Sequence, residues 1–295
     1  MNNLFFVFSL LFVLSCSSEK NFQQIFSHQN IKNQAIIGGI DASTAHPFSR
    51  FVVALYDKKN RYICTGSLIS ENVILTAAHC IETEATNITV IFDLDFFAYD
   101  SNNLKLLRTA NVIKIHPGYK KNNTSDFDWN DLALVQFTGG LPEGFSPVQI
   151  LKDSEQLKRD LTVQIAGFGA TRVEFEEIIS KKDKKFKQDL ASGNIVCYDK
   201  QFNQCYAVHF LGSDRLRFTE AQIEGFTEKE IRMYEAHGKG TCVGDSGGPL
   251  LFQAQDSLKL IGVTSRGSLF CDGPAIYTNA TQYNNWIEQA VNELH

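Results

Sequence analysis

The stretch Gly244–Pro249 reads GDSGGP and is the most informative part of this 295-residue chain. It places Ser246 directly after Asp245 and between glycines. A serine hydroxyl is a poor nucleophile at neutral pH, so it needs a base within hydrogen-bond reach and a third group that orients the base. Gly244 allows a backbone geometry that aims its N–H toward such a site. The stretch therefore predicts a histidine and a carboxylate elsewhere in the chain.

Three further stretches precede this one. Ile36–Gly39 reads IIGG, Leu75–Cys80 reads LTAAHC, and Asn130–Val135 reads NDLALV. The last two contain His79 and Asp131. In this order, the four stretches resemble the chymotrypsin/trypsin-like serine peptidase family, and the resemblance extends from about Ile36 to the C-terminus with one interruption. It implies an all-β fold of two antiparallel six-stranded barrels with a C-terminal helix, and a site in the cleft between the barrels.

The resemblance also assigns roles to the residues of the site. Ser246 attacks the peptide carbonyl and forms an acyl-enzyme, His79 takes the serine proton, and Asp131 orients the imidazole. The backbone N–H groups of Gly244 and Ser246 form the implied oxyanion hole. Neither a cofactor nor a metal is expected, since the sequence shows no cluster of metal ligands at short spacing.

In this family, activation follows cleavage before a run such as IIGG. The freed amine of Ile36 would pair with Asp245, a carboxylate that is costly to bury without a partner. The residue before that bond is Ala35 instead of the usual Lys or Arg. Two activation routes are therefore open: another protease cuts the precursor, or the enzyme cuts itself.

Six positions are implied to bind substrate: Gly240, Thr241, Ser265, Arg266, Gly267 and Ala275. Gly240 falls at the base of the S1 pocket and carries no charge, and Gly267 and Ala275 are small wall residues. This pattern favours apolar P1 side chains. One alternative is a preference for Lys or Arg at P1 through Asp272, which lies in a shortened pocket loop. The other is a secreted binding protein with an inert site.

Seven cysteines occur, at positions 16, 64, 80, 197, 205, 242 and 271. The resemblance implies the bridges Cys64–Cys80 and Cys242–Cys271, which leaves Cys197 and Cys205 to form a third within the peptidase region. Cys16 is then the odd cysteine, which in an exported protein needs an explanation.

The apolar run Leu4–Leu14 predicts a signal peptide over residues 1–15 and is too short to span a bilayer comfortably. Val13–Cys16 reads VLSC and resembles the lipobox of bacterial lipoproteins, in which the cysteine is lipidated. Secretion without a lipid is the alternative. Residues 16–35 are polar and predict a propeptide or linker. A membrane is thus expected as a partner only through a lipid at Cys16, alongside protein or peptide substrates.

A single peptidase domain is predicted over residues 36–295, since all-β barrels often reach about 250 residues. Short β-type runs broken by turn residues recur along it. An insertion of about residues 171–213 interrupts the resemblance and contains a lysine-rich run, which predicts a solvated surface. Residues 283–295 carry apolar side chains at helical spacing. The net charge of -5 argues against nucleic acid as a partner.

Overall fold

The structure, a computed structural model, describes residues 36–294 apart from residues 98–103, 121–128, 179–182, 192, 198–200, 203, 213, 236–238, 256 and 269. The predicted signal peptide, the lipobox with Cys16, and the propeptide with Ala35 lie outside the described residues. Within the described part of the chain, no helix combines the length and apolar character needed to cross a membrane.

The first half of the domain forms a closed antiparallel barrel. Its strands are short, and several are apolar runs with nearly every residue buried, as in VILT, which forms the third of them. The strands are β2 (Val52–Asp57), β3 (Tyr62–Leu68), β4 (Val73–Thr76), β5 (Ile88–Ile91), β6 (Leu107–Ile115) and β7 (Ala133–Phe137). Their order around the barrel is β2-β3-β4-β7-β6-β5, and the pairing of β5 with β2 closes it.

The second half forms another six-stranded antiparallel barrel. Its strands are β9 (Thr162–Gly167), β13 (Arg217–Phe226), β14 (Glu230–Glu235), β15 (Pro249–Ala254), β16 (Ser257–Gly267) and β17 (Gly273–Asn279). They follow the order β13-β14-β17-β16-β15-β9, and β9 pairs back to β13. Two short strands extend this sheet: β1 (Ile40–Asp41) pairs with β13, and β8 (Gln149–Ile150) runs parallel to β16.

The insertion has secondary structure of its own, which the sequence did not predict. Its strands β10 (Arg172–Ile178), β11 (Ile195–Cys197) and β12 (Cys205–Leu211) form a separate antiparallel sheet in the order β10-β12-β11. The lysine-rich run continues into helix α1 (Lys184–Ala191), in which Phe186 is buried. The segment is therefore a packed subdomain with a charged exterior.

The chain ends in helix α2 (Asn284–Asn292), where helical spacing predicted one. Ile287 and Ala290 are buried against the larger core, which also contains the first barrel. The amide of Gln136 on β7 donates to the carbonyl of Leu294 at 2.5 Å. The helix thus anchors the C-terminus to the first barrel, and the predicted two-barrel fold is confirmed.

All three predicted disulfides are present: Cys64–Cys80, Cys197–Cys205 and Cys242–Cys271. The first joins β3 to the short 3-10 turn after β4. The second joins directly paired positions of β11 and β12. The third connects the loop before β15 to the loop before β17, next to the predicted pocket.

Candidate active site

His79 and Asp131 meet because the strands that carry them are neighbours. His79 lies in the 3-10 turn Ala78–Cys80, directly after β4, and Asp131 lies two residues before β7. β4 and β7 pair antiparallel, with Thr76 opposite Ala133. The end of one strand therefore lies beside the start of the other. His79 Nδ1 is 2.7 Å from Asp131 Oδ2, and the backbone N–H of His79 donates to Asp131 Oδ1 at 2.9 Å.

The Asp131 carboxylate is completely buried but well supplied with donors. Besides His79, the hydroxyl of Ser265 donates to Asp131 Oδ2 at 2.6 Å. Burial alone would raise the pKa of Asp131, but the hydrogen bonds and charge of His79, together with Ser265, outweigh that effect and lower it. Asp131 is therefore held ionised, as a group that orients and stabilises a histidine must be. Ser265 was expected to bind substrate, and the structure gives it this contact to the carboxylate.

Ser246 lies in the loop between β14 and β15, at the junction of the two barrels. Its carbonyl accepts a hydrogen bond from the N–H of Thr65 on β3, at 2.8 Å. The next residue, Gly247, has a φ of +81°, and a Cβ there would lie 2.0 Å from Thr76 Oγ1. Only glycine fits this close approach of the serine loop to the first barrel. Ser246 and His79 are both described, and no hydrogen bond joins the Ser246 hydroxyl to the imidazole; such bonds are often long without substrate.

The N–H groups of Gly244 and Ser246 have no protein acceptor among the residues that the structure describes. Gly244 has a φ of +103°, and a Cβ there would lie 2.8 Å from the Cα of Gly169. Gly244 thus has both a left-handed backbone and a tight neighbour, which excludes larger residues. Both N–H groups are therefore available to an acceptor such as an oxyanion.

Asp245 is completely buried, and its carboxylate accepts two backbone hydrogen bonds. Gly169 N–H donates to Oδ1 at 2.7 Å, and Cys242 N–H donates to Oδ2 at 2.9 Å. These bonds do not offset the loss of solvent, and burial raises the pKa of Asp245 to about 7. Among the described residues, no cationic side chain is hydrogen-bonded or ion-paired to this carboxylate.

The Ile36 side chain is already buried in the core of the second barrel, beside Val163 and Tyr277. Its φ of +37° is unusual for a β-branched residue. The next residue, Ile37, forms an isolated antiparallel bridge with Gly240. The stretch IIGG is thus packed against the strands and loops that surround Asp245.

The small residues predicted to line the pocket do lie together. Gly267 on β16 pairs with Ala275 on β17, and a Cβ on Gly267 would be 3.7 Å from the Cβ of Ala275. Ala275 in turn pairs with Met233 on β14. Strands β14, β17 and β16 are consecutive in the sheet, so they form one continuous wall beside Gly240 and Thr241.

Glu235, which the sequence did not single out, ends β14 at the base of this wall. A Cβ on Gly240 would lie 2.6 Å from Glu235 Cβ and 2.7 Å from Glu235 Oε2. The Glu235 carboxyl therefore occupies the space that a side chain of residue 240 would need. The expectation of an uncharged pocket rested on Gly240, Gly267 and Ala275, and the structure adds an acidic group that reaches the space beside Gly240 from β14.

The side chains of Arg266 and Asp272 both form hydrogen bonds to neighbouring side chains. The Arg266 guanidinium forms two hydrogen bonds to Glu230, at 2.9 and 3.0 Å, and lies 4.7 Å from the ring centroid of Trp129. Asp272 is exposed and accepts a 3.4 Å hydrogen bond from the hydroxyl of Ser268. Among the described residues, no hydrogen bond or ion pair joins Asp272 to Gly240 or Thr241.

Cys64, His79 and Cys80 bring possible metal-ligand atoms within 4.8 Å of one another. The two sulfurs are bonded to each other, and neither is available as a thiolate. This cluster therefore braces the histidine and is not a metal site.

Comparison with known proteins agrees with this geometry. Residues 36–287 match the family described as Trypsin. The CLIP domain-containing serine protease B4 of Anopheles gambiae is 30% identical over an alignment of 262 residues, and the match covers 80% of this chain and 65% of that protein. The chain thus spans just under two thirds of the length of that relative. The structure of neuropsin, described as a serine protease expressed in the limbic system of mouse brain, is similar with a TM-score of 0.60 and 22% identity. That comparison covers 86% of this chain and 98% of neuropsin.

The fold is that of a two-barrel peptidase domain, in which His79 is bonded to Asp131. The chain belongs to the trypsin family of serine peptidases. The predicted family membership is confirmed.

Proposed function

We propose that this protein is a serine endopeptidase that hydrolyses peptide bonds through an acyl-enzyme. The observation that carries the proposal is the buried, ionised Asp131 bonded to His79 Nδ1 at 2.7 Å. That bond fixes the tautomer that leaves Nε2 free to act as a base. Ser246 is the nucleophile, and its N–H and that of Gly244 stabilise the oxyanion.

The S1 pocket of this enzyme is bounded by Gly240, Gly267 and Ala275. Thr241 lines its base, and the exposed edge of β16 around Arg266 receives the peptide backbone of the substrate. Proteins and peptides are the proposed substrates, and no cofactor enters the reaction.

A fluorophosphonate probe tests the activity. The enzyme processed before Ile36 should be labelled and should hydrolyse peptide esters, and Ser246→Ala should lose both, with turnover falling by roughly 10⁵–10⁶-fold. Ser257→Ala removes an exposed serine on β16 and should leave labelling unchanged. If the wild type is not labelled and cleaves nothing, the protein is the inert binding protein that the sequence left as an alternative.

Activation by cleavage before Ile36 is part of the proposal. The freed ammonium would pair with Asp245, whose carboxylate accepts hydrogen bonds from two backbone N–H groups among the described residues. The pairing would lower the pKa of Asp245 and hold the loop that carries Gly244 and Ser246 in one conformation. The N-terminal sequence of the active form tests this step, since it should begin at Ile36.

The disulfides support the proposal that the protein is exported. Three bridges in one domain indicate folding in an oxidising compartment. Lipidation of Cys16 is proposed as the anchor. Cys16→Ser should move the protein from the membrane fraction to the soluble fraction, and a wild type that is entirely soluble would contradict the anchor.

A further inference from the structure

Among the residues that the structure describes, Glu235 brings an acidic side chain next to Gly240, at the base of the proposed S1 pocket. It is 4% exposed and lies on the same face of β14 as the buried residues Ile231 and Met233. That face points into the core of the second barrel, where Met233, Ala275 and Tyr277 pack together. Burying a carboxyl group at the end of an apolar face costs free energy unless hydrogen bonds or an opposite charge compensate it.

Three donors hold the carboxyl group in place. Thr241 donates to Glu235 Oε2 twice, from its backbone N–H at 2.5 Å and from its hydroxyl at 2.7 Å. The hydroxyl of Tyr277 donates to Oε1 at 2.5 Å. An ionised carboxylate offers about four acceptor positions. Three are used, and one, on Oε1, is left for an incoming donor.

No basic side chain among the described residues pairs with Glu235. The other carboxylate on its strand, Glu230, is by contrast matched by Arg266. Burial raises the pKa of Glu235, and the bonds from Tyr277 and Thr241 oppose that rise. Asp245 is also buried close by, and the two acidic groups repel each other. Once the Ile36 ammonium neutralises Asp245, Glu235 is the group in this region that still lacks a cation.

We propose that Glu235 is the specificity-determining residue of the S1 pocket and that the enzyme cleaves after Lys or Arg. The inference rests on the proposed peptidase function and names its substrate class. The ammonium or guanidinium of P1 passes along the wall that Gly267 and Ala275 form and donates to the free position of Glu235 Oε1. Glycine at 240 is then required, because any side chain there would collide with Glu235.

The test compares peptides that differ only at P1, with Lys, Arg, Ala, Leu or Phe. The wild type, processed before Ile36, should prefer Lys and Arg. Glu235→Gln keeps the shape of the side chain and should lower kcat/KM for Lys and Arg peptides by about 10²–10³-fold. It should leave Leu and Phe peptides unchanged or improved. Fluorophosphonate labelling of Ser246 measures the fraction of active sites, so a folding defect is counted separately.

Asp272→Asn is the matched control, since it neutralises an exposed carboxylate in the neighbouring loop. It should leave the P1 profile unchanged. A labelled enzyme that prefers apolar P1 residues, or whose profile Glu235→Gln does not alter, overturns the proposal and leaves the peptidase function intact. Loss of the Lys and Arg preference in Asp272→Asn overturns it as well. Absence of labelling and of all cleavage refutes the peptidase function itself.

Discussion

Ile37 and Gly240 are joined directly, because the Gly240 N–H donates to the Ile37 carbonyl at 2.9 Å. In the proposed function, Gly240 forms the base of the S1 pocket, and Ile37 follows the residue whose amine would be freed on activation. The pocket and the activation segment therefore share one backbone contact. Occupancy of the pocket and insertion of Ile36 should stabilise the same packing, and such a coupling is reciprocal.

The first prediction follows from this coupling. In the processed enzyme, a peptide aldehyde with the preferred P1 side chain should slow chemical acylation of the Ile36 amine by about tenfold. Mass spectrometry of the N-terminal peptide gives the rate. An aldehyde with Asp at P1 is the control and should protect little. Equal protection by both inhibitors would show that the pocket and the amine are not linked.

The second prediction concerns pH and the intact precursor. Asp245 has a pKa of about 7 when folded and an ordinary value near 4 when unfolded. The folded chain therefore binds more protons than the unfolded chain between pH 4 and 7, so its stability falls as pH rises through that window. Urea unfolding of the Ser246→Ala precursor at pH 5 and pH 8 measures this loss. Asp245→Asn in the same background should remove the part of the pH dependence of stability that comes from Asp245. A pH dependence that Asp245→Asn leaves unchanged would contradict this prediction.

The third prediction tests the crowding around Asp245. A Cβ on Gly169 would lie 2.3 Å from Asp245 Oδ2, so Gly169→Ala should destabilise the domain by roughly 1–3 kcal/mol. It should also lower activity, since the same carboxylate positions the oxyanion loop. Gly225→Ala on β13 is the control, because no atom lies within 4 Å of its Cβ position. Thermal unfolding measures the stability of both variants. If Gly169→Ala and Gly225→Ala lose similar stability, the clash with Asp245 is not the cause.

The fourth prediction isolates Ser265. Ser265→Ala removes a hydrogen bond to the ionised Asp131, a contact that lowers the pKa of that carboxylate. We expect kcat to fall by about tenfold, the scale of a hydrogen bond to a charged group. The acidic limb of the pH–rate profile should shift as well, whereas KM should change little. A higher KM with an unchanged kcat would instead place Ser265 in substrate binding.

The fifth prediction concerns activation. A pocket with Glu235 at its base should accept alanine poorly, so active enzyme should leave the Ala35–Ile36 bond of a Ser246→Ala precursor intact. Ala35→Lys in the same precursor should make that bond a substrate. Mass spectrometry of the new N-termini distinguishes the two. Rapid cleavage after Ala35 would support self-activation and an open, uncharged pocket.

Many of the candidate site residues could be predicted because they lie within short sequence motifs. His79, Asp131 and Ser246 each lie in a stretch whose neighbours restrict the local backbone, and Gly244 and Gly247 have the positive φ values that glycine permits. The cysteine pairs were equally accessible to prediction. The insertion was not, since its three short strands pair mainly with one another and its polar faces resemble a solvated loop.

The sequence by itself determined the family, the two-barrel fold and the disulfides, because local backbone chemistry and strand patterning encode them, and it supplied the proposed triad. Only the tertiary structure decided which other groups reach the site. Ser265 contacts Asp131 across 134 positions of sequence. Glu235 fills the space beside Gly240 because β14 ends there and Thr241 and Tyr277 hold its carboxyl group. Such contacts depend on how distant strands are arranged in space, and no spacing along the chain specifies them.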